Sequence, residues 1–166
     1  IKIATEIIDN FQNIYEIKWL NMMRDKLGLF GEDKDDLELI NNLLNWMKSN
    51  QADYTNTFCY LMNISSIQDQ IYKEKDFIDW SKNWEKRILI NGGSKENSLE
   101  LMKKNNPVVI PRNHKVEEAL EAANNNDLKP MYDLLSILKK PYTKQINIDE
   151  FQAPSNKQNY QTFCGT

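Results

Sequence analysis

Apolar residues recur at intervals of three and four along most of the chain, the spacing that places them on one face of an α-helix. The longest such stretch runs from Ile3 to Leu27, and Gly28 follows it as a helix-ending residue. Shorter stretches of the same kind predict further helices at 37–47, 54–62, 77–88, 99–102, 116–123 and 128–138. The pattern predicts an all-α fold, a single compact domain of about six or seven helices.

Polar residues and prolines mark the boundaries of several predicted helices. Asp53 and Ser94 each precede an apolar stretch, and their side-chain oxygens are typical helix N-caps because they accept hydrogen bonds from free amides. Pro107 and Pro141 follow apolar stretches, and the residue before a proline avoids the helical conformation. We therefore expect helices to begin after Asp53 and Ser94 and to end before Pro107 and Pro141.

The acidic run GEDKDD at 31–36 has two interpretations, a calcium loop or the start of a helix. A calcium loop that starts at Asp33 requires Gly at its sixth position and Glu at its twelfth, where this chain has Glu38 and Leu44. We reject the calcium loop. Carboxylates also favour a helix N-terminus, since they cap free amides and face the positive end of the helix dipole.

The last twenty-five residues show no sustained periodicity and contain few aliphatic side chains. We predict an extended tail over 142–166 and a helical domain over 1–141. The tail contains scattered aromatic residues that we expect to hold it in place: Tyr142, Phe151, Tyr160 and Phe163.

The composition and net charge of the chain argue against several classes of protein. Five Gly and five Pro in 166 residues leave little turn chemistry for an all-β fold. The net charge of -3 provides no positive field for nucleic acid or an anionic membrane, and no run of eighteen apolar residues can span a bilayer. Two cysteines are too few for a disulfide scaffold, which favours the reducing cytoplasm. The start IKIATEIIDN has no Met and no signal peptide, so we expect a piece of a longer protein.

The sequence contains few of the motifs that carry catalysis. It has no Gly-rich phosphate loop, no nucleophile elbow, no CxxC and no HExxH. A Cys–His pair would need His114, the only histidine, as its base, and we reject it. Trp80 and Trp84 alternate with lysines as in a nucleic-acid-stacking helix, but Phe77 and Ile88 continue their stripe, so we expect them in the core.

Arginine is rare in this chain, which has 18 Lys but only three Arg, and each Arg is therefore of interest. The segment NPVVIPRNH at 106–114 places Arg112, Asn113 and His114 at the entrance of a helix, where free amides could meet an anion. The alternative is structural: Asn113 caps the helix while Arg112 binds a neighbouring carboxylate or carbonyl. We favour this alternative.

Several segments together resemble the C-terminal part of the selenoprotein O family. They are KLGL at 26–29, DYTNTF at 53–58, the spaced Trp80, Trp84 and Arg87, NPVVIPRNHKVEEALEAA at 106–123, and the terminal TFCGT. Their order and spacing agree over nearly the whole chain. One position departs, because the family commonly has Arg after DYTxTF and this chain has Cys59. Any contact of that Arg is not carried over.

The resemblance implies a protein adenylyltransferase with a protein-kinase-like fold, which moves AMP from ATP to Ser, Thr or Tyr hydroxyls of other proteins. The family's nucleotide-binding and magnesium-binding residues precede this region, so it implies no catalytic, cofactor-binding or metal-binding residue here. The implied partners are the upstream kinase-like catalytic domain and the protein substrates. The family also has a redox-active cysteine or selenocysteine third from its C-terminus, where this chain has Cys164. Cys164 is therefore the redox candidate, with its disulfide partner outside this chain.

Two interpretations of function remain. In the first, the chain is a structural and redox-regulatory helical lobe of the adenylyltransferase, with the active site elsewhere. In the second, it is a non-catalytic helical module that recruits a partner or substrate protein. A large exposed apolar patch would indicate a lost partner, and the upstream sequence would discriminate between the two.

Overall fold

The computed structural model describes residues 2–64, 70–146 and 148–155. This part of the chain is all-α, as predicted, and contains no strand. Its α-helices are α1 (Lys2–Leu27), α2 (Asp36–Ser49), α3 (Tyr54–Leu61), α4 (Lys75–Arg87), α5 (Lys95–Asn105), α6 (Asn113–Asn124), α7 (Lys129–Leu138) and α8 (Asp149–Gln152). A 3-10 helix, Ile71–Lys73, precedes α4. None of the described helices is both long and apolar enough to cross a membrane.

Residues 1–51 and 70–105 form one compact unit. Within it α1 packs on α5 and α2, and α2 packs on α4. Aromatic rings join α4 to α2 and to the 3-10 helix, since the ring centroid of Phe77 lies 4.6 Å from that of Trp46 in α2 and 5.0 Å from that of Tyr72 in the 3-10 helix. The indole nitrogens of Trp80 and Trp84 donate to the carbonyls of Leu39 and Leu27 at 2.9 and 2.8 Å. The two tryptophans therefore pack within this unit, as the stripe on α4 predicted.

The end of α1 is defined by Gly28, as the sequence predicted. Its φ of +70° lies in the left-handed region that favours glycine. A Cβ at this position would lie 2.6 Å from the carbonyl oxygen of Ser98 in α5. Gly28 therefore both ends α1 and allows α5 to approach its end closely.

Residues 52–64, 106–146 and 148–155 belong to the second compact unit, whose described helices are α3, α6, α7 and α8. α6 packs against α7. Around α3 the buried side chains include Phe58, Val108 and Ile148. The amide of Val108 donates to the carbonyl of Pro141 at 2.7 Å. This bond ties the segment before α6 to the segment that follows α7.

The helix caps follow the sequence prediction at two positions and depart from it at a third. Asp53 accepts a hydrogen bond from the amide of Asn56 at 2.9 Å, and Ser94 accepts one from the amide of Asn97 at 3.1 Å. The prediction that Asn113 caps α6 is wrong. Arg112 occupies the N-cap position in an extended conformation, and its carbonyl accepts the first helical hydrogen bond, so Asn113 is already inside the helix.

The start of the predicted tail is held only in part by the aromatic residues expected. Phe151 is half-buried and Tyr142 is exposed, whereas Ile148 and Gln152, which the sequence did not indicate, are buried. A single helical turn, α8, forms between them, and it is too short to show periodicity in the sequence. Tyr160 and Phe163 lie outside the described residues.

Candidate functional site

All three arginines of the chain bind aspartates inside their own units. In the first unit Asp36 lies between Arg24 and Arg87, whose Nε atoms donate to its two carboxylate oxygens at 2.7 Å each. Arg87 also donates to the carbonyls of Phe30 and Gly31 at 3.2 Å. The three ionised side chains are at most 9% exposed. This arrangement fixes the loop between α1 and α2 against α4.

The environment of Asp36 changes its acidity. Burial raises the pKa of Asp36, but hydrogen bonds from Arg87, Arg24 and the amide of Asp33 outweigh burial. The pKa of Asp36 therefore lies below its ordinary value of 3.8. Asp36 is an ionised structural carboxylate, whereas the sequence suggested only a helix-starting acid.

In the second unit Arg112 binds Asp53 with two nitrogens. Its two Nη atoms lie 2.5 and 2.8 Å from the two carboxylate oxygens of Asp53. One of them also donates to the carbonyl of Gln152 at 2.8 Å. Asn56 donates through its side chain to the same carbonyl at 3.0 Å. We call Asp53, Asn56, Arg112 and Gln152 the Asp53–Arg112 cluster.

Gln152 joins α8 to two other segments of this unit. Its carbonyl accepts hydrogen bonds from Arg112 and Asn56, and its side-chain amide donates to the carbonyl of Val108 at 2.6 Å. Gln152 is 1% exposed, so these bonds form away from solvent. The cluster therefore fixes the point in the chain from which the last residues depart.

The Asp53–Arg112 cluster has the chemistry of a structural clamp. Burial raises the pKa of Asp53, but hydrogen bonds from Arg112 and from the amides of Asn56 and Thr55 outweigh burial and lower it. An ionised carboxylate that is already hydrogen-bonded is a poor general base. Arg112 in turn directs both Nη atoms at Asp53 and not at an external anion.

His114 lies beside this cluster, at the edge of a cleft of about 400 Å³. Lys115 in the same cleft donates to Glu118 and Glu150 at 2.9 Å each. The hydrogen bonds that Lys115 donates to Glu150 and Glu118 raise its pKa, so this side chain is a cation. The cleft is mainly acidic, and its lining residues are His114, Lys115, Glu117, Glu118, Glu121, Glu150, Ala153, Pro154 and Ser155.

ATP and magnesium, which the family resemblance implies for the whole protein, can be compared with these residues. A triphosphate would meet four glutamates in the cleft, and the nearby cations of Lys115 and Arg112 are held by carboxylates. ATP therefore does not fit this cleft. Among the residues that the structure describes, no three His, Cys, Asp or Glu side chains are placed to hold a metal ion. We assign no nucleotide or metal step to them.

The two cysteines have different standing in the structure. Cys59, at the position where the family commonly has Arg, is fully buried, with its sulfur 3.9 Å from the carbonyl oxygens of Pro107 and Val108. The side-chain nitrogen Nε2 of Gln152 also lies 3.9 Å from this sulfur. Cys59 is thus part of the packing around the Asp53–Arg112 cluster. Cys164, the redox candidate, lies outside the described residues.

The structure brings together residues that sequence reasoning had considered singly. The sequence indicates Asp53 only as a helix cap and does not identify the carboxylate or carbonyl that Arg112 binds. In the structure Arg112 binds Asp53. Asn56 and Gln152 were missed, because buried amides have no sequence signature. Asp36 was missed as a partner of Arg24 and Arg87, although the scarcity of arginine directed attention to those two.

Comparison with known proteins gives consistent matches over the whole chain. The family described as protein adenylyltransferase SelO matches residues 2–139. The chain is 52% identical to the protein nucleotidyltransferase YdiU of Pelagibacter ubique, a match over 100% of this chain and 35% of that protein. The chain is also 44% identical to the protein of the same name from Nitrosococcus oceani, a match over 98% of this chain and 34% of that protein. It is 44% identical to the protein of the same name from Bacillus cereus, over 100% of this chain and 35% of that protein. The chain spans about a third of the length of these relatives.

Proposed function

Because the chain belongs to the protein adenylyltransferase SelO family, we propose that it is the C-terminal helical lobe of such an enzyme, with the active site outside these 166 residues. The observation that carries the proposal is the end-to-end match with about a third of proteins named nucleotidyltransferases. In this proposal residues 1–141 form the helical domain and residues 142–166 form the tail.

The proposed activity belongs to the whole protein. It transfers AMP from ATP, with magnesium, to Ser, Thr or Tyr hydroxyls of substrate proteins in the cytoplasm. The kinase-like domain that supplies the nucleotide and metal sites is the proposed partner of this lobe. The described residues support the placement of the nucleotide and metal sites outside this chain, since their arginines are bound to aspartates and their cleft is acidic.

The role we propose for the lobe is structural and redox-regulatory. In this proposal the Asp53–Arg112 cluster holds α8, a single turn within the tail, and the residues after α8 carry Cys164. In this proposal Cys164 and a cysteine outside this chain are joined in a reversible disulfide by exchange with a low-molecular-weight disulfide, which takes up the two electrons and two protons and leaves as two thiols. Formation of the disulfide relocates the tail and changes the rate of AMP transfer.

If the active site lies outside these 166 residues, the chain and the full-length protein should differ in ATP binding and in AMP transfer. We expect the 166-residue chain neither to bind ATP and magnesium at micromolar affinity nor to acquire AMP, because its arginines are bound to aspartates and its described cleft is acidic. The full-length protein should do both. Calorimetry with ATP and magnesium, followed by mass spectrometry for an added AMP, measures the two properties on the same samples.

Both outcomes of this experiment are informative. Saturable heat or an AMP mass shift on the 166-residue chain would contradict the placement of the active site. Absence of AMP transfer by the full-length protein, with ATP binding intact, would contradict the proposed activity.

A second candidate function is a helical module that recruits a partner or substrate protein. The observation that favours it is a set of exposed apolar side chains on and next to α6 and α7, namely Leu120, Leu128, Tyr132 and Leu135. The module interpretation predicts that Leu135→Glu abolishes modification of a protein substrate while self-modification continues. The lobe interpretation predicts that both reactions continue.

A further inference from the structure

The first five turns of α1 expose a continuous apolar stripe. Every described side chain between Thr5 and Lys18 is exposed. In this segment and the next turn seven large apolar side chains are each 45% to 71% exposed. One of them, Ile17, lies about 120° around the helix from Phe11. The other six recur at helical spacing on one side: Ile7, Ile8, Phe11, Ile14, Tyr15 and Met22. The rings of Phe11 and Tyr15 stack along the stripe, with centroids 6.3 Å apart. We call these six residues the α1 stripe.

The stripe lies on a different side of α1 from the face that packs within this unit. Inward packing of α1 involves Met23 and Leu27 near its end. At 3.6 residues per turn, Leu27 is rotated by about 160° around the helix axis from Phe11. The α1 stripe is therefore a second face, which the packing on α2 and α5 does not explain.

The area of the stripe is large for a surface in contact with water. If a fully exposed large side chain presents on the order of 150 Å², the six residues together present roughly 500 Å². This value is near the upper end for the largest apolar patch of a monomer. With a matching surface it would bury about 1,000 Å² in total, which suits an interface between domains of one chain but is half of what an obligate dimer needs.

We propose that the α1 stripe is the surface on which the rest of the same polypeptide packs. The proposal rests on the proposed function, in which this chain is a lobe of a longer enzyme. Because 170 aligned residues are 35% of the Pelagibacter ubique relative, roughly 300 residues of that protein lie outside the match. A covalently attached partner needs only a modest interface, since its effective concentration is high. The matching surface is an apolar groove with a polar group opposite the Tyr15 hydroxyl.

The test uses the full-length protein with Cys164→Ser as background. Phe11→Cys places a thiol in the stripe, and Asn13→Cys places a control thiol on the opposite, exposed side of the same helix. We expect maleimide to label position 11 at least about tenfold more slowly than position 13, because labelling requires the interface to open. Peptide mass spectrometry measures both rates, and labelling in urea shows that the intrinsic reactivities agree.

Several outcomes would overturn the proposal. Equal native rates would show that the stripe is exposed in the whole protein. Protection of both positions 11 and 13 from maleimide would show that the covered surface is not confined to the α1 stripe. Protection of position 11 that disappears when the protein is diluted would show that a second copy of the protein covers the stripe. As a measurement without substitution, hydroxyl radicals should oxidise Phe11 and Tyr15 of the wild-type protein several-fold more slowly in the native state than in urea.

The labelling result can be separated from the proposed function. Protection of position 11 in a full-length protein that does not transfer AMP would contradict only the proposed activity. Rapid labelling of position 11 in a protein that does transfer AMP would contradict only the assignment of the α1 stripe.

Discussion

The guanidinium group gives Arg112 and Arg87 a property that lysine lacks. Its planar set of donors matches the two oxygens of a carboxylate, so Arg112 binds both oxygens of Asp53 and Arg87 binds both oxygens of Asp36. A lysine ammonium is a single point charge and would satisfy only part of each buried carboxylate. This explains why arginine stands at these positions in a chain otherwise rich in lysine.

Removal of the Arg112 side chain should destabilise the chain. Arg112→Ala leaves a mostly buried carboxylate and the Gln152 carbonyl with fewer donors, which costs on the order of 2 to 4 kcal/mol. For a chain of this size the melting temperature should fall by roughly 5 to 15 °C. Arg112→Lys should fall between wild type and Arg112→Ala. Thermal unfolding followed by circular dichroism measures the three values.

Lys129→Ala is the matched control, because Lys129 pairs with Asp133 on the exposed surface. Its melting temperature should remain near the wild-type value. If Arg112→Ala also melted unchanged while the full-length enzyme lost activity, the anion-binding interpretation of Arg112 would replace the structural one.

The buried Asp36 and the half-buried Asp53 predict a loss of stability in acid. The pKa values of Asp36 and Asp53 lie below 3.8 in the folded chain, so their contribution to stability is present above that pH. It is lost as the pH falls below about 4 toward the folded-state pKa values. The free energy of unfolding in urea, measured at pH 7, 5, 4 and 3, should therefore decline mainly between pH 4 and pH 3.

Asp36→Asn tests the origin of this decline. The variant should be less stable at pH 7, since Arg24 and Arg87 lose a charged partner, and its stability should change less between pH 5 and 3. Asp79→Asn, at an exposed i,i+4 pair with Lys75, should keep the wild-type decline. An undiminished decline in Asp36→Asn would show that other carboxyl groups are responsible.

Helix positions were predictable from sequence because the signals that define them are local. Gly28, Asp53 and Ser94 act on amides or carbonyls within four residues, so their neighbours alone determine the outcome. The side-chain partners of Asp36 lie 12 and 51 residues away and those of Gln152 lie 40 to 96 residues away, distances that no periodicity encodes. The candidate site was therefore predictable only as isolated side chains.

Burial within a predicted helix face was less predictable than the helix itself. Leu120 and Leu135 belong to the apolar stripes that predicted α6 and α7, yet both are exposed, while Ala119 and Leu134 beside them are buried. A stripe wider than the contact between two helices leaves one of its edges in solvent. Sequence periodicity therefore predicts which side of a helix is apolar, but it does not predict how much of that side the neighbouring helix covers.

A pair of glycines allows the close contact between α1 and α5 to be tested. Gly28 and Gly92 both have positive φ, +70° and +78°, so alanine is strained at either position by about 1 to 2 kcal/mol. A Cβ at Gly28 would also meet the Ser98 carbonyl at 2.6 Å, whereas at Gly92 nothing lies within 4 Å. We expect Gly28→Ala to reduce the free energy of unfolding clearly more than Gly92→Ala does. Equal losses in urea titrations would show that α5 can move away without cost.

At the scale of the whole molecule, the two cysteines should react at very different rates. Cys59 is fully buried, so a thiol reagent reaches it only when the surrounding structure opens. We predict that Cys164 reacts with a maleimide much faster than Cys59 under native conditions. Peptide mass spectrometry after timed labelling separates the two sites.

Equal labelling rates in the folded chain, or a disulfide between Cys59 and Cys164, would contradict the regulatory role proposed for Cys164. In the full-length enzyme, Cys164→Ser should make AMP transfer insensitive to oxidants and reductants. Cys59→Ser provides the control for a thiol that takes no part in the exchange.

The burial of Gln152 sets a limit on what Cys164 can reach. Twelve residues separate the two positions, and each adds at most about 3.3 to 3.6 Å, so Cys164 stays within roughly 40 Å of Gln152 whatever path the backbone takes. Inside that radius a tethered thiol meets a target on the same molecule at millimolar effective concentration. Beyond it, intramolecular oxidation is geometrically forbidden. For the disulfide proposed above, the hydrogen bonds that hold Gln152 thus set the distance within which a partner cysteine must lie.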